Sequence, residues 1–189
     1  MESRKRNPHE KVSRDDRDAF GELLRYITME RESVCEVMCF AMHRGEAAEY
    51  FIQELRESIT SPVAPPPLKI ARLYVVSDLL HNSSAKVRNA SMFRTFLTVA
   101  IPDIFESLRG TYHSLSSRLT ASTMMDKIHG VLVAWETWSI FSGDFLFGLE
   151  ATMHGTDPTD EEVSKGEASH YTTYITCIHS HLHAYIYHV

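Results

Sequence analysis

Apolar residues recur along this chain at helical spacing and almost nowhere at any other. Ser13 can cap a first helix, with Asp15 and Asp16 in its favourable first turn and Phe20, Leu23, Leu24 and Ile27 on its apolar side. Thr28 is the next candidate cap. It opens a second helix through Val34, Cys35, Met38 and Met42, which Gly45 should stop. A third helix, EAAEYFIQELRESI, follows at once with Ala48, Phe51, Ile52 and Leu55 inward. Prolines in SPVAPPP (61–67) then fix φ and remove donors, breaking the chain and setting the angle at which a central helix starts at Leu68.

Beyond Asn82 a polar stretch, SSAKVRNAS, reads as a loop. Phe93, Phe96 and Leu97 begin a fifth helix, and Pro102 interrupts it by taking the first turn of a sixth, PDIFESLRGTYHSL. Thr120 caps a seventh helix with Met124, Ile128, Val131, Leu132 and Trp135 on its apolar side, and Ser142 caps an eighth. No alternating strand pattern occurs before residue 154. The pattern predicts an all-α domain over 13–153, its neighbouring helices packed antiparallel through short connections. Residues 1–12 are expected to be a disordered polar tail, and 154–189 an unstructured one.

The central segment, LKIARLYVVSDLLHNSS, carries two stripes. Leu73, Val76 and Leu80 mark one apolar face. Tyr74, Asp78 and Asn82 recur every four residues, so a phenol, a carboxylate and an amide stack along a neighbouring face. Such a row suits an extended or turned peptide lying across the helix. It is also what an ordinary solvated helix face looks like, and the pattern leaves both readings open.

Charge sharpens the first reading. The chain has 189 residues and a net charge of −6, yet 68–94 holds five basic residues (Lys69, Arg72, Lys86, Arg88, Arg94) against one acid, Asp78. That island points to an anionic partner, and it also allows a weak, salt-sensitive RNA contact. Hydrophobic content of 43% suffices for a core without metal or disulfide staples. Cys35 and Cys39 are therefore expected to be buried packing residues of a reduced, intracellular protein.

Several functions lack their residues. The charged start has no apolar signal segment, and no run of 18 apolar residues is present, so neither secretion nor membrane spanning is expected. No phosphate-cradling glycine loop or zinc-protease pattern occurs. Ser77, Asp78 and His81 point in different directions on a helix, so no catalytic residues and no cofactor or small-molecule substrate are assigned. Cys177, His179, His181 and His183 alternate in the tail. A strand would set neighbours about 7 Å apart, too far for all four to share one zinc ion with bonds of about 2 Å, so no metal site is assigned.

In order and spacing, RDAFGELLRYITMERESVCEVMCFAMHRGEAAEYFIQEL, PLKIARLYVVSDLLHNSSAKVRNASMFR and VLVAWETWSIFSGDFLFGL resemble the CTD-interacting domain of RNA polymerase II-associated processing factors. The string VSDLLHNSSAKVRNAS is most similar to the form in SURP-motif splicing factors associated with the U-two snRNP and their plant relatives. The resemblance implies a right-handed superhelix of about eight helices, an architecture shared with the VHS and ENTH domains of membrane traffic. A membrane-traffic adaptor is therefore the alternative reading, although the first helix lacks a lysine-rich lipid-facing side.

What the resemblance implies for function is a nuclear, non-catalytic module that binds the phosphorylated Tyr-Ser-Pro-Thr-Ser-Pro-Ser repeats of the polymerase tail alongside splicing-complex proteins. By position, Tyr74 would pack on the peptide, Asp78 would accept from the heptad tyrosine or a backbone amide, and Asn82 would bond the peptide backbone. Lys86 and Arg88 would supply positive potential for serine phosphates. One departure stands out. Many members carry a phosphate-gripping arginine where this chain has Trp138, and an indole makes no such charge-assisted bond, which implies weaker binding or another phosphate preference.

Overall fold

The computed structural model describes residues 12–155, and among these every regular element is helical. In chain order they are α1 (Arg14–Tyr26), α2 (Arg31–Met42), a 3-10 turn (Gly45–Ala47), α3 (Ala48–Thr60), α4 (Pro66–Asn82), α5 (Ala90–His113), α6 (Arg118–Thr137) and α7 (Gly143–His154). The all-α expectation holds, with seven α-helices in place of about eight. The difference lies at Pro102, which falls inside one continuous α5 and opens no new helix. A proline there removes one backbone donor, and the helix runs on because Ile101, Ile104 and Phe105 around it are fully buried.

Caps show how local chemistry sets the helix starts. Ser13 accepts from the Asp16 amide and Ser142 from the Phe145 amide, as their positions predict. Two other caps shift. The α6 cap is Ser117, which accepts from the Thr120 amide, and α2 begins after Glu30, with Thr28 two residues earlier accepting from the Glu30 amide. The central helix starts at Pro66, a proline in the first turn where no donor is missed. Val12, expected in the N-terminal tail, is buried, and the helical body reaches His154 at the other end. The remaining tail residues, including Cys177, His179, His181 and His183, lie outside the described residues.

The chain divides into two compact units between Ile104 and Phe105. In the first, Phe20, Phe40 and Phe51 bring α1, α2 and α3 into an aromatic cluster with ring centroids 4.7–6.0 Å apart. The Arg44 guanidinium lies 3.7 Å over the Phe40 ring and donates to Asp16 Oδ1 at 2.7 Å, tying the end of α2 to the start of α1. In the second, buried Trp135 of α6 meets Phe105 at 6.0 Å and Phe141 at 5.5 Å. His113 Nε2 lies 3.1 Å from the Gly155 carbonyl, linking the end of α5 to the end of α7.

Helix α4 runs through the interior of the first unit. From Lys69 to Leu80 every residue is buried except Tyr74 and Asp78. Arg72 is buried too, and its guanidinium donates to the Leu24 carbonyl (3.1 and 2.9 Å) and to the Ser58 carbonyl (2.6 Å). Both acceptors lie in the last turns of their helices, α1 and α3, where carbonyls lack a partner along the helix and carry the negative end of its dipole. Arg72→Met keeps the apolar stem but leaves both carbonyls without these donors. We expect it to cost about 2–5 kcal/mol in urea unfolding followed by circular dichroism; a loss below about 1 kcal/mol would mean other donors take its place.

Candidate peptide-binding site

The polar row lies where α4 reaches the surface. Tyr74, Asp78 and Asn82 are each half-buried, and Tyr74 and Asp78 are the only breaks in ten otherwise buried positions along this helix. Helices α2 and α3 pack on α4, and between Lys69 and Leu80 the two positions left partly open fall on the i, i+4, i+8 row. The Asn82 amide nitrogen donates to the Asp78 backbone carbonyl at 2.8 Å, which orients the side chain and leaves its oxygen as an acceptor.

Asp78 is the strained member electrostatically. Burial pushes its carboxyl above the usual aspartate value, while His81 and Arg31 pull it part of the way back. Arg31 opens α2, the helix packed most extensively on α4. Cys39 of α2 also feels Asp78: burial raises its thiol first, then Cys35 and the Asp78 carboxylate raise it further. One line of α2 (Arg31, Cys35, Cys39, spaced by four) thus runs beside the polar row of α4. Sequence periodicity marks that α2 line but cannot say which helix it faces, because α2 and α4 are separated by a whole helix in the chain.

The basic island dissolves in part. Lys69 is 2% exposed and Arg72 7% exposed, with Arg72 engaged on backbone carbonyls, so neither adds to an anion-binding surface. This corrects the expectation of five cooperating cations: two of them are internal. Burial lowers the pKa of both, and Arg72 lowers that of Lys69 further. Lys86 and Arg88 remain exposed, on the loop that follows the polar row. A run of turns shapes it: the Ala85 amide donates to the Asn82 carbonyl, Val87 to Ala85, Ala90 to Val87, and Asn89 adopts a left-handed φ of 61°.

Gly45 secures that loop. Its backbone is not left-handed, so it is no glycine stop of the expected kind. A Cβ at this position would sit 2.5 Å from the Arg88 carbonyl oxygen and 3.1 Å from the Asn89 Cβ. The absence of a side chain lets the end of α2 and the loop carrying Lys86 and Arg88 close on each other. Trp138, at the departure noted above, is the C-cap residue of α6 in the second unit and is 42% exposed. Cys35 and Cys39 also depart from expectation: Cys35 is exposed and Cys39 half-buried, so they are not core residues. Among the described residues no three histidines, cysteines or acids converge as a metal cage, and no helix is long and apolar enough to cross a membrane.

Two Arabidopsis thaliana proteins match this chain. Protein RRC1-like is 43% identical over 137 residues and Protein RRC1 is 42% identical over 137 residues; each alignment covers 72% of this chain and 14% of the relative. The chain thus spans about one-seventh of the length of these curated relatives. No protein-family profile matches it.

Two predictions test this geometry. Gly45→Ala should destabilise the fold by about 1–3 kcal/mol, with amide chemical-shift changes centred on 83–89; changes confined to Gly45 and its immediate chain neighbours would show the contact is soft. Asp78 titrates with the opposite sign to a salt-bridged acid. Its folded pKa is raised, so its charge costs stability above that pKa, and the cost fades as pH falls through it toward the unfolded value of 3.8. Asp78→Asn should therefore raise the thermal midpoint at neutral pH, the gain shrinking toward the acid end of the carboxylate range. A midpoint lowered at every pH would show that the carboxylate holds the fold together.

Proposed function

We propose that Tyr74, Asp78 and Asn82, with Lys86 and Arg88 beyond them, bind the phosphorylated heptad repeats of the RNA polymerase II tail. The chain would act as a non-catalytic module of nuclear pre-mRNA processing, in company with splicing-complex proteins. The single observation that carries this reading is the position of Asp78, a partly desolvated carboxylate at a half-open position of an otherwise buried stretch of helix. Desolvation outweighs the attraction of His81 and Arg31 on it, so its carboxylate is held at a cost. Burying an acid without a donor costs stability, and a ligand that brings the donor recovers it.

The chemistry of the heptad matches the row. Its tyrosine hydroxyl donates to Asp78, the Asn82 oxygen accepts a peptide amide, and the Tyr74 ring packs on the proline-rich backbone. A serine phosphate, carrying about −1.5 to −2 charges, meets Lys86 and Arg88. The resemblance to the CTD-interacting domain supports the same reading. An all-helical fold with no convergent nucleophile and base among the described residues fits a binding module. Affinity for one repeat is modest, because a disordered peptide must be ordered on binding.

Fluorescence-anisotropy titration with phosphorylated and unphosphorylated heptad peptides is the direct test. Asp78→Ala should weaken binding by about 1–3 kcal/mol with the helical signal unchanged. The pair Lys86→Ala and Arg88→Ala should weaken the phosphorylated peptide selectively and flatten its salt dependence. Equal affinity of wild type and Asp78→Ala would refute the site, and equal affinity for an unrelated RNA of similar charge would point to generic phosphate attraction.

A further inference from the structure

Among the described residues, the thiols of α2 have no role in the site above. Cys35 Sγ and Cys39 Sγ lie 3.8 Å apart, both cysteines are free, and one is exposed while the other is half-buried beside Asp78. Two fates are open to such a pair: oxidation to a disulfide, or joint capture of an ion. Geometry separates them. A disulfide needs Cβ atoms about 3.5–4.5 Å apart, whereas positions i and i+4 of a helix hold theirs at about 5–6 Å, so closure would distort α2. An ion needs no such movement. Two metal–sulfur bonds of about 2.3 Å ending on sulfurs 3.8 Å apart subtend about 111°, close to a tetrahedral angle.

We infer that Cys35 and Cys39 form a two-thiolate site for a soft, thiophilic metal ion, and that filling it weakens peptide binding at Asp78. Loading replaces two S–H protons by one dication: both thiols lose H⁺, two metal–sulfur bonds form, and nothing is oxidised. Solvent completes the coordination, since no third protein ligand converges among the described residues. Helix α2 packs on α4, which carries Asp78, so that carboxylate is an acidic countercharge for a bound dication. That attraction competes with the donor a peptide would bring. The ion site stands on the thiols alone, and only the effect on peptide rests on the function proposed above.

Cadmium(II) is the probe, added to the full chain carrying Cys177→Ser so that the third cysteine does not compete, with a phosphine keeping the thiols reduced. We expect one equivalent bound, seen as a thiolate-to-cadmium absorption band, with affinity falling at least about tenfold in either Cys35→Ser or Cys39→Ser. Binding that survives both substitutions overturns the site. So does a stable Cys35–Cys39 disulfide under peroxide in a protein that takes no cadmium. In a second arm, the cadmium-loaded protein should bind phosphorylated heptad peptide about fivefold more weakly or worse. Unchanged affinity overturns the coupling, whereas a peptide that binds neither form defeats the proposed function and leaves the ion site standing.

Discussion

A buried guanidinium is the constraint on which the first unit depends. Arg72 reaches from the middle of α4 to the carbonyl ends of α1 and α3, donating to Leu24 and Ser58 from a nearly solvent-free position. A charge in such a place is tolerated only when its donors are engaged, and helix C-termini offer partnerless acceptors and a favourable dipole. One side chain thus satisfies two helix ends and fixes how α4 lies between them. An ammonium in its place would lack the planar fork that meets both carbonyls at once.

With α4 held that way, its accessible surface is reduced to a narrow line. Leu73, Val75, Val76, Leu79 and Leu80 are buried, and what remains open from Lys69 on is Tyr74, Asp78 and Asn82 together with His81 at the end of the helix. The helix is thus a structural core element and the floor of a candidate binding surface at once. The same enclosure desolvates Asp78, so the packing that stabilises the helix also raises the cost of its one acidic group.

The cations at the end of the row are positioned by backbone, not by their own side chains. Gly45 lets the Arg88 carbonyl approach the end of α2, and Asn89 takes a left-handed turn that few other residues tolerate. Lys86 and Arg88 are therefore presented from a loop anchored at both ends, their heads in solvent. Two uncharged residues, Gly45 and Asn89, thus shape the loop that carries the charge.

Much of this was legible in the chain. Helical periodicity, the Ser13 and Ser142 caps and the proline break before α4 specify an all-α domain, because amphipathicity and capping are local properties. The four-residue spacing of Tyr74, Asp78 and Asn82 placed them on one stripe for the same reason. Tertiary structure alone decided which charges face water. Lys69 and Arg72 read as surface cations until they are seen buried, Arg72 on the carbonyl ends of α1 and α3, and Cys35 and Cys39 read as core residues until α2 is seen to pack by another side. Burial is a property of neighbours far away in sequence, and Pro102 inside α5 makes the same point. Surrounding packing, which no single stretch encodes, outweighed the local rule that a proline begins a helix.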